Sequence, residues 1–179
     1  MPDLIILPEP SVTTCPLVRL DRAFLLNHPA HFIALGFGSG LARKAPGTFG
    51  TLAALPLYGL LVYLLPPIVI VALCLPAFLL GIWAAQKTCH DLGVHDHGGI
   101  VIDEIVAMWL VLAAAPATLP GWLAAFALFR CFDIWKPWPI NWLDARVPGG
   151  LGVMLDDLLA AGYAIAGVLL LGLLFPANF

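Results

Sequence analysis

The sequence predicts an all-α integral membrane protein: a helical bundle of about five apolar helices, with one amphipathic stretch ahead of them. Three observations carry this. Hydrophobic residues make up 61% of the 179, charged residues only 11%, and the mean hydropathy is +0.98. Soluble domains carry roughly a quarter charged residues, so this chain has too little polar surface to coat a water-soluble globule. The apolar residues fall into five runs bounded by proline, glycine and charge, and the few charges gather near the ends of those runs. A net charge of −3 argues against nucleic acid as a partner, because that needs a basic patch.

Residues 1–28 are expected to form a cytoplasmic N-terminal segment. They hold prolines, Asp3 and Glu9, and LIIL is too short for the apolar part of a signal peptide. Residues 29–179 are expected to form a single membrane-embedded domain. The amphipathic stretch, about 29–42, suits the membrane surface. Segment one, about 48–65, ends at Pro66-Pro67; segment two, about 68–86, ends at Lys87. Pro56 and Pro76 are expected to kink them. Segment three, about 100–115, ends at Pro116; segment four covers about 121–136; segment five, about 157–175, ends at Pro176. A spanning helix needs roughly 20 residues. Segments three and four are short, which suits the inside of a bundle or a thinned bilayer. Cys15, Cys74, Cys89 and Cys131 show no metal spacing and read as reduced thiols.

Charge placement orients the chain. The Pro66-Pro67 turn and the linker PATLP (116–120) carry no charge. Arg19, Arg22, Arg43 and Lys44 precede segment one, Lys87 follows segment two, and Arg130, Lys136 and Arg146 surround the end of segment four. Positive residues favour the cytoplasm. That puts Thr48, Asp103, Glu104, Arg130, Asp133, Lys136, Asp156 and Asp157 at one cytoplasmic end, where a single polar site is geometrically feasible.

Asp103 and Glu104 stand inside the otherwise apolar run IVIDEIVAMWLVLAAA (100–115). Carboxylates in such surroundings are expensive unless a cation or hydrogen bonds hold them. Asp156 and Asp157 form a second acidic pair at the start of segment five. Hard divalent cations take oxygen ligands, and magnesium typically combines one or two carboxylates with water and substrate phosphate. Helix capping is the competing explanation for both pairs. Arg130, Asp133 and Lys136 recur at i, i+3, i+6 and share a helical face, suited to gripping a phosphate. Thr48 and Lys44 belong to the glycine-rich run GFGSGLARKAPGTFG (36–50), where a helix start exposes amides to an anion. The loop KTCHDLGVHDHGG (87–99) crowds His90, Asp91, His95, Asp96 and His97 beside Asp103, and three histidines within eight residues could ligate metal. Asp96 is close enough to serve as a base; the histidines read more simply as loop residues.

Four blocks, GFGSGLARKAPGTFGTLAALP (36–56), GVHDHGGIVIDEIVAMW (93–109), FRCFDIWKPWPINWLD (129–144) and GGLGVMLDDLLAAGYA (149–164), resemble the phosphatidylglycerophosphatase A family of bacterial membrane phosphatases. The resemblance spans about Asn27 to Ala164, in order and spacing. It implies magnesium-dependent removal of the terminal phosphate from phosphatidylglycerophosphate. The family's acidic motif falls on Asp103 and Glu104, its basic-acidic motif on Arg130, Asp133 and Lys136, its twin aspartates on Asp156 and Asp157, and its turn on Gly47 and Thr48. Thr51 replaces a frequent serine, and Ala107 a common glycine. The expected assignment has Asp103, Glu104, Asp156 and Asp157 holding Mg²⁺. Lys44, Thr48, Arg130 and Lys136 contact phosphate, and Asp96, Asp103, Glu104 and Asp133 serve the chemistry. The expected setting is the bacterial inner membrane, multi-pass, with the site facing the cytoplasm.

Two other classes fit worse. A CDP-alcohol phosphatidyltransferase needs DGxxAR followed by GxxxDxxxD, which this chain lacks. A transporter or channel places polar residues near mid-membrane, whereas here they cluster at helix ends. No CxxxxxR or DxDx(T/V) motif supplies a covalent phosphatase nucleophile. Water attack is therefore preferred, with a carboxylate nucleophile such as Asp103 as the alternative.

Overall fold

The computed structural model describes residues 20–94 and 96–175. Those residues form eight α-helices and one 3-10 turn: α1 (Arg22–Asn27), α2 (Pro29–Ala34), the 3-10 turn (Gly36–Leu41), α3 (Pro46–Leu64), α4 (Pro67–Leu92), α5 (Ile102–Ala114), α6 (Leu119–Trp135), α7 (Ile140–Asp144) and α8 (Gly149–Leu174). Local chemistry sets the boundaries. Proline opens α3 and α4 at the first turn, where its missing N–H costs nothing. Thr118 caps α6 by accepting from the Gly121 amide at 3.1 Å. Gly93, at φ 68, closes α4 in the left-handed conformation that glycine tolerates.

The five apolar segments correspond to α3, α4, α5, α6 and α8. Of these, α3, α4 and α8 are long and apolar enough to cross a membrane. At 13 residues α5 is about 20 Å long, short of a hydrocarbon core. It is instead the centre of the bundle. Residues 102–108, Val111 and Leu112 are buried, and α3, α4, α6 and α8 pack around them. A helix surrounded by helices needs no lipid-facing stripe, which explains its near-continuous apolar sequence.

Two expectations require correction. The stretch 29–42 is no continuous surface helix. It breaks at Gly36 and Gly38, with φ 54 and 105, and the buried face of α2 (Ala30, His31, Ala34) packs toward α4. Pro56 and Pro76 lie, as the segments imply, inside α3 and α4. Segment five starts eight residues earlier than its hydropathy suggests, at Gly149. Glycine makes this possible: Gln86 Oε1 accepts from the Gly150 amide at 2.8 Å, and a Cβ on Gly150 would come 2.6 Å from the Gln86 nitrogen and strike the Ile82 carbonyl. The first turn of α8 therefore rests on the backbone of α4. Asp156 and Asp157 lie two turns inside a helix, not at its start, so capping does not explain them.

Residues 1–19 of the N-terminal segment, Cys15 and Arg19 among them, lie outside the described residues. Gly150→Ala is expected to destabilise the fold by about 2 kcal/mol through overpacking. Thermal unfolding in detergent measures this, and an unchanged Tm would contradict the close α4–α8 approach.

Candidate active site

The start of α3, the start of α5, the end of α6 and the second and third turns of α8 meet at one end of the bundle. Asp103, Glu104 and Asp157 each offer a carboxylate oxygen, and these oxygens all lie within 4.8 Å of one another. They are 8%, 9% and 3% exposed, respectively. Asp103 Oδ1, Glu104 Oε2 and Asp157 Oδ2 are buried without any hydrogen-bond partner. Buried polar atoms are normally satisfied, and isolated buried carboxylates cost several kcal/mol each. Three carboxylates so close together, each with a buried oxygen that meets no donor, call for a cation. The donor set is all hard oxygen, with no histidine or cysteine in the group, so it fits magnesium better than zinc. Ligands about 2.1 Å from a magnesium ion lie at most about 4.2 Å apart across it, so a small contraction of the three side chains suffices.

Arg130 is the hub on the next face. Its Nη1 reaches Glu104 Oε1 at 3.4 Å and Thr51 Oγ1 at 3.5 Å, and its Nη2 reaches Thr48 Oγ1 at 3.5 Å. It also pairs tightly with Asp133, one turn along α6. These contacts tie α3, α5 and α6 together, and the long threonine contacts leave guanidinium donors for another acceptor. Gly47 admits this approach. A Cβ there would fall on Glu104 Oε1 and 3.2 Å from Arg130 Nη1. Thr51 Oγ1 donates to the Gly47 carbonyl at 2.9 Å, which fixes its lone pairs toward Arg130.

The twin aspartates divide. Asp157 joins Asp103 and Glu104, whereas Asp156 accepts from Lys136 Nζ at 2.6 Å and from the Asp157 amide at 2.9 Å. Adjacent helical side chains diverge by about 100°, and here the ion pair with Lys136 holds Asp156 to the other side. Lys136 is the left-handed C-cap of α6, with φ 45, and so leaves the helical face shared by Arg130 and Asp133. Its ammonium also meets Asp144 Oδ2 at 3.0 Å. Sequence reasoning missed Asp144, because the α6–α7 turn between it and Lys136 carries no periodicity.

The remaining candidates lie further out. Lys44 is exposed in the loop before α3. Asp96 is exposed beside α5, and neither makes an ion pair among the described residues. His97 Nδ1 accepts from the Gly99 amide at 3.0 Å, a structural loop contact, and His90 sits beside Asp91. His95 lies outside the described residues. A second polar cluster also escaped prediction: buried His31 meets Asp91 Oδ2 at 2.8 Å and the Phe24 carbonyl at 3.0 Å, joining α1 and α2 to α4.

The phosphatidylglycerophosphatase A family matches residues 32–172 of this chain. The chain is 52% identical over 150 residues to phosphatidylglycerophosphatase A of Haemophilus influenzae, covering 82% of this chain and 90% of that protein. It is 44% identical over 149 residues to phosphatidylglycerophosphatase A of Escherichia coli, covering 80% of this chain and 83% of that one. No solved structure matches. The matched span contains the three unpartnered carboxylates, Arg130 and the threonines around it, and the chain is an enzyme of the phosphatidylglycerophosphatase A family.

Proposed function

We propose that the chain hydrolyses phosphatidylglycerophosphate to phosphatidylglycerol in a magnesium-dependent reaction. The cytoplasmic face of a bacterial inner membrane is the proposed setting. The names of the two relatives supply the substrate. The observation that carries the chemistry is the group of three buried, unpartnered carboxylate oxygens beside Arg130. The cytoplasmic assignment rests on Arg43, Lys44, Lys87, Lys136 and Arg146, all on connections or helix ends at the same end as the acids.

Asp103, Glu104 and Asp157 would hold the magnesium ion. When bound, the ion supplies Lewis-acid stabilisation of the phosphoryl oxygens and activates water. Phosphoryl transfer otherwise depends on positioning and charge neutralisation. Arg130 presents its planar fork to the phosphoryl oxygens, with Thr48 and Thr51 beside it. Asp133 holds the guanidinium in that orientation. Lys136 neutralises Asp156 and thereby limits repulsion next to Asp157. Asp96 is the candidate base that takes the proton from the attacking water, since it is exposed and near the α5 start. The water oxygen bonds to phosphorus as the bond from phosphorus to the glycerol oxygen breaks; that oxygen takes up a proton, so phosphatidylglycerol and inorganic phosphate are the products.

Purified protein in detergent should release inorganic phosphate from phosphatidylglycerophosphate, and excess chelator should stop it. Release that persists in chelator would remove the metal from the reaction. Asp103→Asn and Asp157→Asn should each lower turnover by 100-fold or more, on the order of a lost electrostatic partner. The same variants should lose the magnesium-induced rise in thermal stability, which in the wild type reaches about 2.7 kcal/mol at a hundredfold excess over Kd. A variant that keeps both would dismiss that residue as a ligand. Gly47→Ala pushes the Glu104 carboxylate aside and should reduce kcat roughly 10-fold or more with little change in Tm; wild-type kcat would mean that Glu104 position is unimportant.

A further inference from the structure

The proposed substrate carries two phosphates, a terminal monoester and a bridging diester one glycerol away. The acid-lined site accounts for the first. Two clefts on the outer side of the α3 start bear on the second. The larger, about 850 Å³, is walled by Leu25, Leu26, Phe37 and Phe49, with Asp21, Arg22 and Arg43 as its charged lining. The smaller, about 300 Å³, lies between Arg43, Pro46 and the loop His97–Gly99. Arg43 borders both. Pro46 is followed directly by Gly47, the residue pressed against Glu104. The wall of the smaller cleft at Pro46 is thus one residue along the chain from the α3 turn that meets Glu104.

The chemistry of these walls is mixed in a way that suits a lipid. Phe37 and Phe49 are 51% and 53% exposed, which is costly in water and favourable against acyl chains. Arg43 is exposed and makes no ion pair among the described residues, unlike Arg130 and Lys136. A guanidinium presents paired donors that match two phosphate oxygens. Lys44, its neighbour, is part of neither cleft lining.

Resting on the reading of function above, we propose that Arg43 is a specificity-determining residue that binds the bridging phosphodiester of the lipid. Recognition of this second anion selects a lipid with two phosphates over a simple phosphomonoester lipid.

Phosphatidylglycerol carries the diester and lacks the monoester, so it probes Arg43 alone. Its Kd for the full-length protein in mixed detergent micelles should rise about 10-fold in Arg43→Ala, the scale of a lost bidentate charge contact. Arg43→Lys should fall between the two. Arg146→Ala, at an exposed arginine outside both clefts, should stay within about twofold of wild type. In turnover assays Arg43→Ala should raise KM for phosphatidylglycerophosphate about 10-fold, while inhibition by inorganic phosphate stays within about twofold. An unchanged phosphatidylglycerol Kd in Arg43→Ala overturns the proposal, as does an equal loss in Arg146→Ala. A joint loss of phosphate inhibition also overturns it, because that marks a collapsed site. A wild-type protein that releases no phosphate from phosphatidylglycerophosphate sinks the functional reading instead, and the comparison of phosphatidylglycerol Kd values still decides the role of Arg43.

Discussion

Three carboxylates share one buried space without enough cations of their own. Asp103, Glu104 and Asp157 each bury an oxygen that meets no donor. Arg130 touches only one of them, at 3.4 Å. In a low-dielectric interior, like charges at this spacing repel strongly. The fold holds them together because their backbones are fixed by packing far from the charges: α5 is gripped on all sides, and α8 is locked to α4 through Gly150 and Gln86. Stability elsewhere in the bundle maintains an arrangement that is unfavourable by itself, as functional sites commonly require.

The two basic side chains of the site are assigned differently. Lys136 sits between Asp156 and Asp144 and is largely consumed by them. Arg130 keeps long, weak contacts to Thr48 and Thr51 alongside its strong pair with Asp133. Geometry at 3.5 Å is near the limit of a hydrogen bond, so a phosphate oxygen competes easily for those donors. Lys136 is thus engaged by two carboxylates, whereas Arg130 keeps part of its guanidinium in long contacts only. Both are Lys or Arg in the sequence, and only their surroundings distinguish them.

That contrast shows what was legible beforehand. Composition and hydropathy define the five apolar segments, because burial in lipid or protein leaves a strong signature over many residues. The conflict of Asp103 and Glu104 with apolar neighbours is equally plain, since charge beside hydrocarbon needs a reason. The start of α8 was hidden, because GGLGVML lacks the hydropathy of a span and its helicity depends on docking against α4. A split within the twin aspartates follows from the 100° step between adjacent helical positions; which of the two joins Asp103 was not legible. Asp144 and the His31–Asp91 pair were invisible for a related reason: each joins elements whose spacing in sequence says nothing about their distance in space. Gly47 was legible as part of a turn; the closeness of Glu104 to its missing side chain was not.

The depth of the site ties these features to the membrane. Gly150 abuts Ile82 and Gln86, and Met154 abuts Gly81, so α4 and α8 run antiparallel. Extending that register by one turn brings Asp157 level with about Phe78, and Leu158 and Phe78 line one cavity. Lys87 then lies nine residues nearer the polar end of α4, about 13 Å away along the helix axis. The acids thus sit beneath the cationic rim, at a level where α4 is entirely apolar. On the proposed reading, a headgroup that reaches this level leaves bulk water behind, and its contacts with Arg130 gain strength from the same desolvation. A lipid arrives at that depth with its chains already anchored in hydrocarbon, whereas a soluble phosphate has no such anchor to offset the loss of hydration.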